Sequence, residues 1–83
     1  MARQKNNAPV EERKTIVVIR SPEKKTTATF DTWRFWEIIN ALQWFGAPRD
    51  AAVEAASWAG RAAEPGARRT ITETEITMEV ISA

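Results

Sequence analysis

Few residues in this chain could do chemistry, and their spacing argues against an enzyme. The carboxylates that could form an acid–base pair are Asp31, Glu37, Asp50 and Glu54. Carboxylate catalysis needs two groups held in opposed environments. Nothing in these spacings singles out such a pair, and all four suit helix caps or solvated helix faces. Ser21, Ser57 and Ser82 have no partner base, because the chain contains no His; a Ser-His-Asp arrangement is excluded. With no Cys as well, the common zinc, copper and haem ligands are missing. Glu73, Glu75 and Glu79 could in principle meet a hard cation, but they read better as an acidic sheet face. Three scattered Gly residues make no phosphate-cradling loop. No metal and no cofactor are expected, and the reading is of a protein that binds rather than transforms.

Two kinds of residue could support binding. The first is aromatic. Placed on a helix at about 100° per residue, Phe35, Ile38, Ile39, Leu42 and Phe45 share one side, while Trp33, Trp36 and Trp44 fall opposite, among Glu37, Asn40 and Gln43. Those indoles could be buried beneath a second layer, since Trp is usually well buried. They could instead form an exposed aromatic patch with a polar rim, which marks an interface. Residues Trp33, Trp36, Glu37, Asn40 and Trp44 are the candidate partner-binding set. Base stacking would need interleaved bases, and only Arg34 is near.

The second kind is basic. Arg20, Lys24 and Lys25 cluster in one place, and Arg68 and Arg69 in another. They could pair with the acidic C-terminal segment or hold an anion such as a nucleotide phosphate. The formal net charge is only +1, below the basic balance of a nucleic-acid-binding domain. It is uneven, however. Residues 1–14 carry four bases against two acids, and residues 70–83 carry three acids and no base.

The elements that must position these residues can be read from pattern. Eighty-three residues allow one small domain, and no stretch nears the roughly 20 apolar residues that cross a bilayer. Residues 1–14 are polar and aperiodic and are expected to be a disordered basic tail, followed by one domain over 15–83. Thr15 to Ile19 is a β-branched run suited to a central strand. Pro22 lies in a polar turn, and Thr26 to Phe30 completes a hairpin. A helix is expected from about Thr32 to Phe45, capped by Asp31 or Thr32 and stopped by Gly46. A second helix should start near Pro48 or Arg49 and end around Ala63. Its Ala face (Ala52, Ala55, Ala56 and Ala59 among others) should receive the bulky side of the first helix. A homodimer formed between that Ala face and the Trp face is the alternative. Between Thr70 and Ile81, Ile76, Met78 and Val80 alternate with Glu75, Thr77 and Glu79, which predicts a strand. The alternative is a helix begun by a capping box at Thr72-Glu73-Thr74-Glu75. The fold class is therefore α+β, in ββααβ order, with a three-stranded antiparallel sheet packed by a helical hairpin.

Several motifs fall in a familiar order. Val17-x-x-Arg20, then Phe30-Asp31 ahead of Ile38 and Leu42, then Gly46-Ala47-Pro48-x-Asp50-x-Ala52, then Ile71-Thr72-x-x-Glu75-Ile76-x-x-x-Val80 together resemble the ATP-cone, a nucleotide-sensing regulatory module. The resemblance spans most of residues 15–81. It implies a phosphate contact at Arg20, with Lys24 or Lys25 as substitutes. The family's hairpin signature of Lys-Arg-Asp-Gly stands here as Ile19-Arg20-Ser21-Pro22, and the family closes on a longer helix. In size and missing chemistry the chain also resembles the compact inhibitors encoded by phages and other mobile elements, anti-CRISPR proteins among them. The leading expectation is a cytoplasmic, non-catalytic inhibitor or adaptor that engages a larger protein. An ATP-cone-like nucleotide sensor is the alternative, and a nucleic-acid-binding regulator using the tail with Arg68 and Arg69 comes third.

Overall fold

The computed structural model describes residues 15–82; the tail expected over 1–14 lies outside them. Two helices pack on one side of a four-stranded antiparallel sheet. The β-branched run becomes β1 (Thr15–Ser21), which turns through 22–25 into β2 (Thr26–Asp31). The turn closes with the Lys25 amide donating to the Pro22 carbonyl at 3.1 Å, and Lys25 takes a left-handed φ of 54°.

The first helix, α1 (Phe35–Trp44), begins three residues later than expected. Neither expected cap is used: Asp31 ends β2, and the Thr32 hydroxyl meets that of Thr15 at 2.8 Å. The sheet has therefore taken the residues that local pattern gave to the helix start. The helix stops as predicted. Gly46, at a φ of 114°, donates to the Gln43 carbonyl, and the Ala47 amide reaches back to Leu42. This is a Schellman closure, which favours Gly because the required backbone conformation crowds a Cβ.

After Pro48, α2 runs over Arg49–Ser57 and winds on into a π-helical turn, Trp58–Ala62. Gly60 has a packing reason. A Cβ there would sit 3.2 Å from the Thr32 carbonyl oxygen, so its absence lets this turn approach the chain that leads into α1.

The sheet holds one strand more than expected. Arg68–Thr70 forms β3, a short edge strand paired to β4 (Thr77–Ser82) in the register Arg68↔Glu79 and Arg69↔Met78. A three-residue strand with two Arg shows no apolar alternation, so only its neighbour reveals it. The order is thus ββααββ, with strands arranged β2-β1-β4-β3. Of the segment expected as one strand from Thr70 to Ile81, only the part from Thr77 on is β4, residues 71–76 form the turn that precedes it, and none of it is helix. Its capping-box residues instead shape the β3–β4 turn, where the Thr74 hydroxyl donates to the Ile71 carbonyl at 2.8 Å and accepts from the Ile76 amide at 3.0 Å.

Registers place Val17 opposite Val80 and Ile19 opposite Met78. These four face the helices and are fully buried with Ile38, Ile39 and Leu42. The Ala face of α2 is internal: Ala52, Ala55, Ala56 and Ala59 are buried in the same core. The dimer expected as an alternative, Ala face against Trp face, is therefore ruled out, because that Ala surface is already covered within the chain.

Candidate interaction surface

The first helix has one buried side and one bare side. Its core side is fixed by Ile38, Ile39 and Leu42, so residues half a turn away must face outward. Trp36 and Trp44 are each 64% exposed, and Trp33 is 68% exposed. Trp36, Asn40 and Trp44 form a single i, i+4, i+8 row, with Asn40 also exposed. Trp33 lies just before the helix, in the turn after β2, where it lines a hollow with Phe35, Gly60 and Arg61.

The indoles are held rather than loose. Trp36 meets Phe35 edge-on, with centroids 4.9 Å apart and planes at 77°. Trp44 leans on Phe45 at 5.5 Å. The Arg34 guanidinium lies 4.6 Å from the Trp33 ring centre and pairs with Glu37 at 2.9 Å. The Lys24 ammonium lies 5.2 Å over Trp44. A rim of charge thus frames an apolar stripe, and the preset rings would lose little freedom on binding.

Of the five partner-binding residues expected from sequence, Trp36, Glu37, Asn40 and Trp44 are exposed on α1, and Trp33 is exposed in the turn before it. The basic residues do not assemble as one site. Lys24 has moved to the aromatic stripe, a role that spacing could not show because it depends on the turn folding beside the end of α1. Lys25 is exposed in the same turn. Arg69 points to the helix side of the sheet, where it grips Glu54 through two bonds of 2.7 and 3.1 Å and lies 5.2 Å from the Trp58 ring centre. Arg20 and Arg68 come together on one carboxylate. They flank Glu79 at 3.6 and 3.7 Å on the open face of the sheet, beside a cavity of about 430 Å³ that Arg69, Thr70 and Thr77 also line.

The candidate carboxylates are spoken for in ordinary ways. Asp31 and Glu37 share Arg34, Glu54 holds Arg69, and Asp50 lies in the first turn of α2. Among the described residues, no group of three or more Asp, Glu, His or Cys side chains converges on a point that could hold a metal ion. No described helix is long and apolar enough to cross a membrane. No family model matches this sequence, and no curated protein or solved structure is significantly similar to it.

Proposed function

We propose that this is a non-catalytic binding protein that engages a protein partner, as an inhibitor or adaptor, through the Trp33–Trp36–Trp44 stripe. The observation that carries the reading is the exposure of three indoles, Trp36 and Trp44 on one side of α1 and Trp33 in the turn before it, nearly two-thirds or more of each. Leaving that much aromatic surface in water forgoes burial that a folded monomer would otherwise gain. Trp is also the residue type most enriched where interfaces draw their energy.

The test is affinity for the protein captured from its native setting, measured by calorimetry with folding checked by circular dichroism. Trp33→Ala, Trp36→Ala and Trp44→Ala should each weaken binding by about 30-fold, matching the ~2 kcal/mol typical of such anchors. A triple variant that binds like the parent would sink the reading.

The competing reading, an ATP-cone-like nucleotide sensor, draws on Arg20 and Arg68 meeting beside a cavity on the open sheet face. It requires ATP or dATP to produce a saturable change in tryptophan emission that Arg20→Ala abolishes. A nucleic-acid-binding regulator would instead show affinity falling steeply with added salt.

A further inference from the structure

We infer that the outer edge of β2 is a docking site for an extended segment of a partner protein, which adds to the four-stranded sheet as a further, antiparallel strand. The inference goes beyond the Trp stripe: it names a second surface and the backbone conformation of what binds there.

The ladder shows which groups this edge offers. The Thr32 amide donates to the Thr15 carbonyl at 3.3 Å, so these two residues form a hydrogen-bonded pair. Bonded pairs of antiparallel strands recur at every second residue. Along the β1–β2 register the others are Val17 with Phe30, Ile19 with Ala28 and Ser21 with Thr26. Thr27, Thr29 and Asp31 therefore turn their backbone groups away from β1, and β2 has no second neighbour among the described strands. The Asp31 carbonyl accepts from the Arg34 amide at 3.1 Å. The N–H and C=O of Thr27 and of Thr29, with the Asp31 N–H, are left for a strand laid outside.

The two edges of the sheet differ in how they meet such a strand. β3 is three residues long and carries two arginines, which guard an edge against pairing. β2 holds six residues in unbroken register, with no Pro, no Lys or Arg and no bulge. Nothing in its sequence blunts it.

The side chains of β2 specify the occupant. Thr27 and Thr29 are exposed on the open face, while Ala28 and Phe30 lie on the helix side and are only partly buried. A strand along this edge extends both surfaces. Its residues opposite Thr27 and Thr29 must keep their N–H groups and suit a polar face, and those between them meet Ala28 and Phe30. The partner's segment thus alternates apolar residues with polar, β-branched ones and has no Pro at the polar positions.

The probe is a synthetic peptide of alternating valine and threonine with lysine at both ends, titrated into the full chain and followed by amide NMR. It should shift the Thr27, Thr29 and Asp31 amides saturably, more than those of Thr26, Ala28 and Phe30, and should slow their exchange. N-methylation at its threonines should weaken binding by about 10-fold or more, because several hydrogen bonds are lost. N-methylation at its valines, whose N–H groups point to solvent, should not. Thr29→Pro removes an outward N–H without touching the bonds to β1; it should weaken binding to the same degree while keeping the parent's circular dichroism. The methylated peptides read the same ladder from the partner's side, whether or not that variant folds.

A peptide that leaves β2 unshifted, or that binds as well when methylated at its threonines, overturns the inference. So do Thr27 and Thr29 amides that are already protected in the free protein. Protection lost on dilution would give the edge to a second copy, and protection independent of concentration would give it to the chain itself. The stripe is tested by its Trp→Ala series against the captured protein and the edge by this peptide, so either reading can fail without the other.

Discussion

Trp36 and Ile39 stand three residues apart on one helix and face opposite environments. Ile39 is fully buried among Ile38, Leu42, Val17 and Val80. Truncating it removes methyl groups that neighbours cannot replace, so Ile39→Ala should cost about 2–5 kcal/mol. Trp36 is 64% exposed and rests edge-on against Phe35. Trp36→Ala should therefore change stability by less than about 1 kcal/mol, as surface substitutions generally do. Urea unfolding of both variants, at dilutions where each is monomeric, measures the contrast. If Trp36→Ala proved as costly as Ile39→Ala, the indole would be part of the core and the interaction surface would lose its basis. The 3.6-residue period separates the two sets of positions before any tertiary contact is known, but it left open whether the Trp side lay beneath a second layer or in water. It did not show that Lys24 joins the stripe, a pairing across 20 residues that only the folded turn creates.

Elements were legible where their signals are local and lost where a neighbour decides. The β1–β2 hairpin, the Gly46 stop and the alternation of β4 all rest on residues close in sequence, and each is found where it was expected. The start of α1 and the existence of β3 do not rest on such signals. Asp31 is paired with Ile16 in the sheet, so pairing prevails over capping there. Arg68 and Arg69 become a strand because β4 presents a free edge. The β1–β2 turn holds a local cost of its own, since Lys25 sits at a φ of 54° with a Cβ that crowds the backbone. Lys25→Gly removes that crowding without touching the core, and the bond from its amide to Pro22 is retained. The gain should be about 0.5–1 kcal/mol after the extra freedom of Gly in the unfolded chain is counted. By thermal unfolding this appears as a rise of a few degrees, roughly 4–8 °C per kcal/mol in a domain this small. A fall in midpoint would mean that the lysine side chain contributes more than its backbone strain costs.

For the molecule as a whole, the sheet is unequal from centre to edge. β1 is hydrogen-bonded on both sides, to β2 and to β4, and carries the fully buried Val17 and Ile19. β3 has three residues and a single neighbour. Among the described residues its side-chain ties to α2 run through Arg69, by the two bonds to Glu54 and the contact with Trp58 in the turn that follows. Local opening should therefore begin at β3, while β1 opens only when the whole domain does. Amide hydrogen exchange should show slowest exchange in β1 and in the β4 residues paired with it, and much faster exchange over 68–70. Arg69→Ala should widen that difference: it frees β3 from the helices at a cost of about 1 kcal/mol or less, because Glu54 is largely exposed. The β1 amides should slow or speed only with global stability. If β3 exchanged as slowly as β1, with Arg69→Ala shifting both together, the edge strand would belong to a single cooperative unit. The tie between Arg69 and Glu54 would then matter to the whole fold and not to one edge.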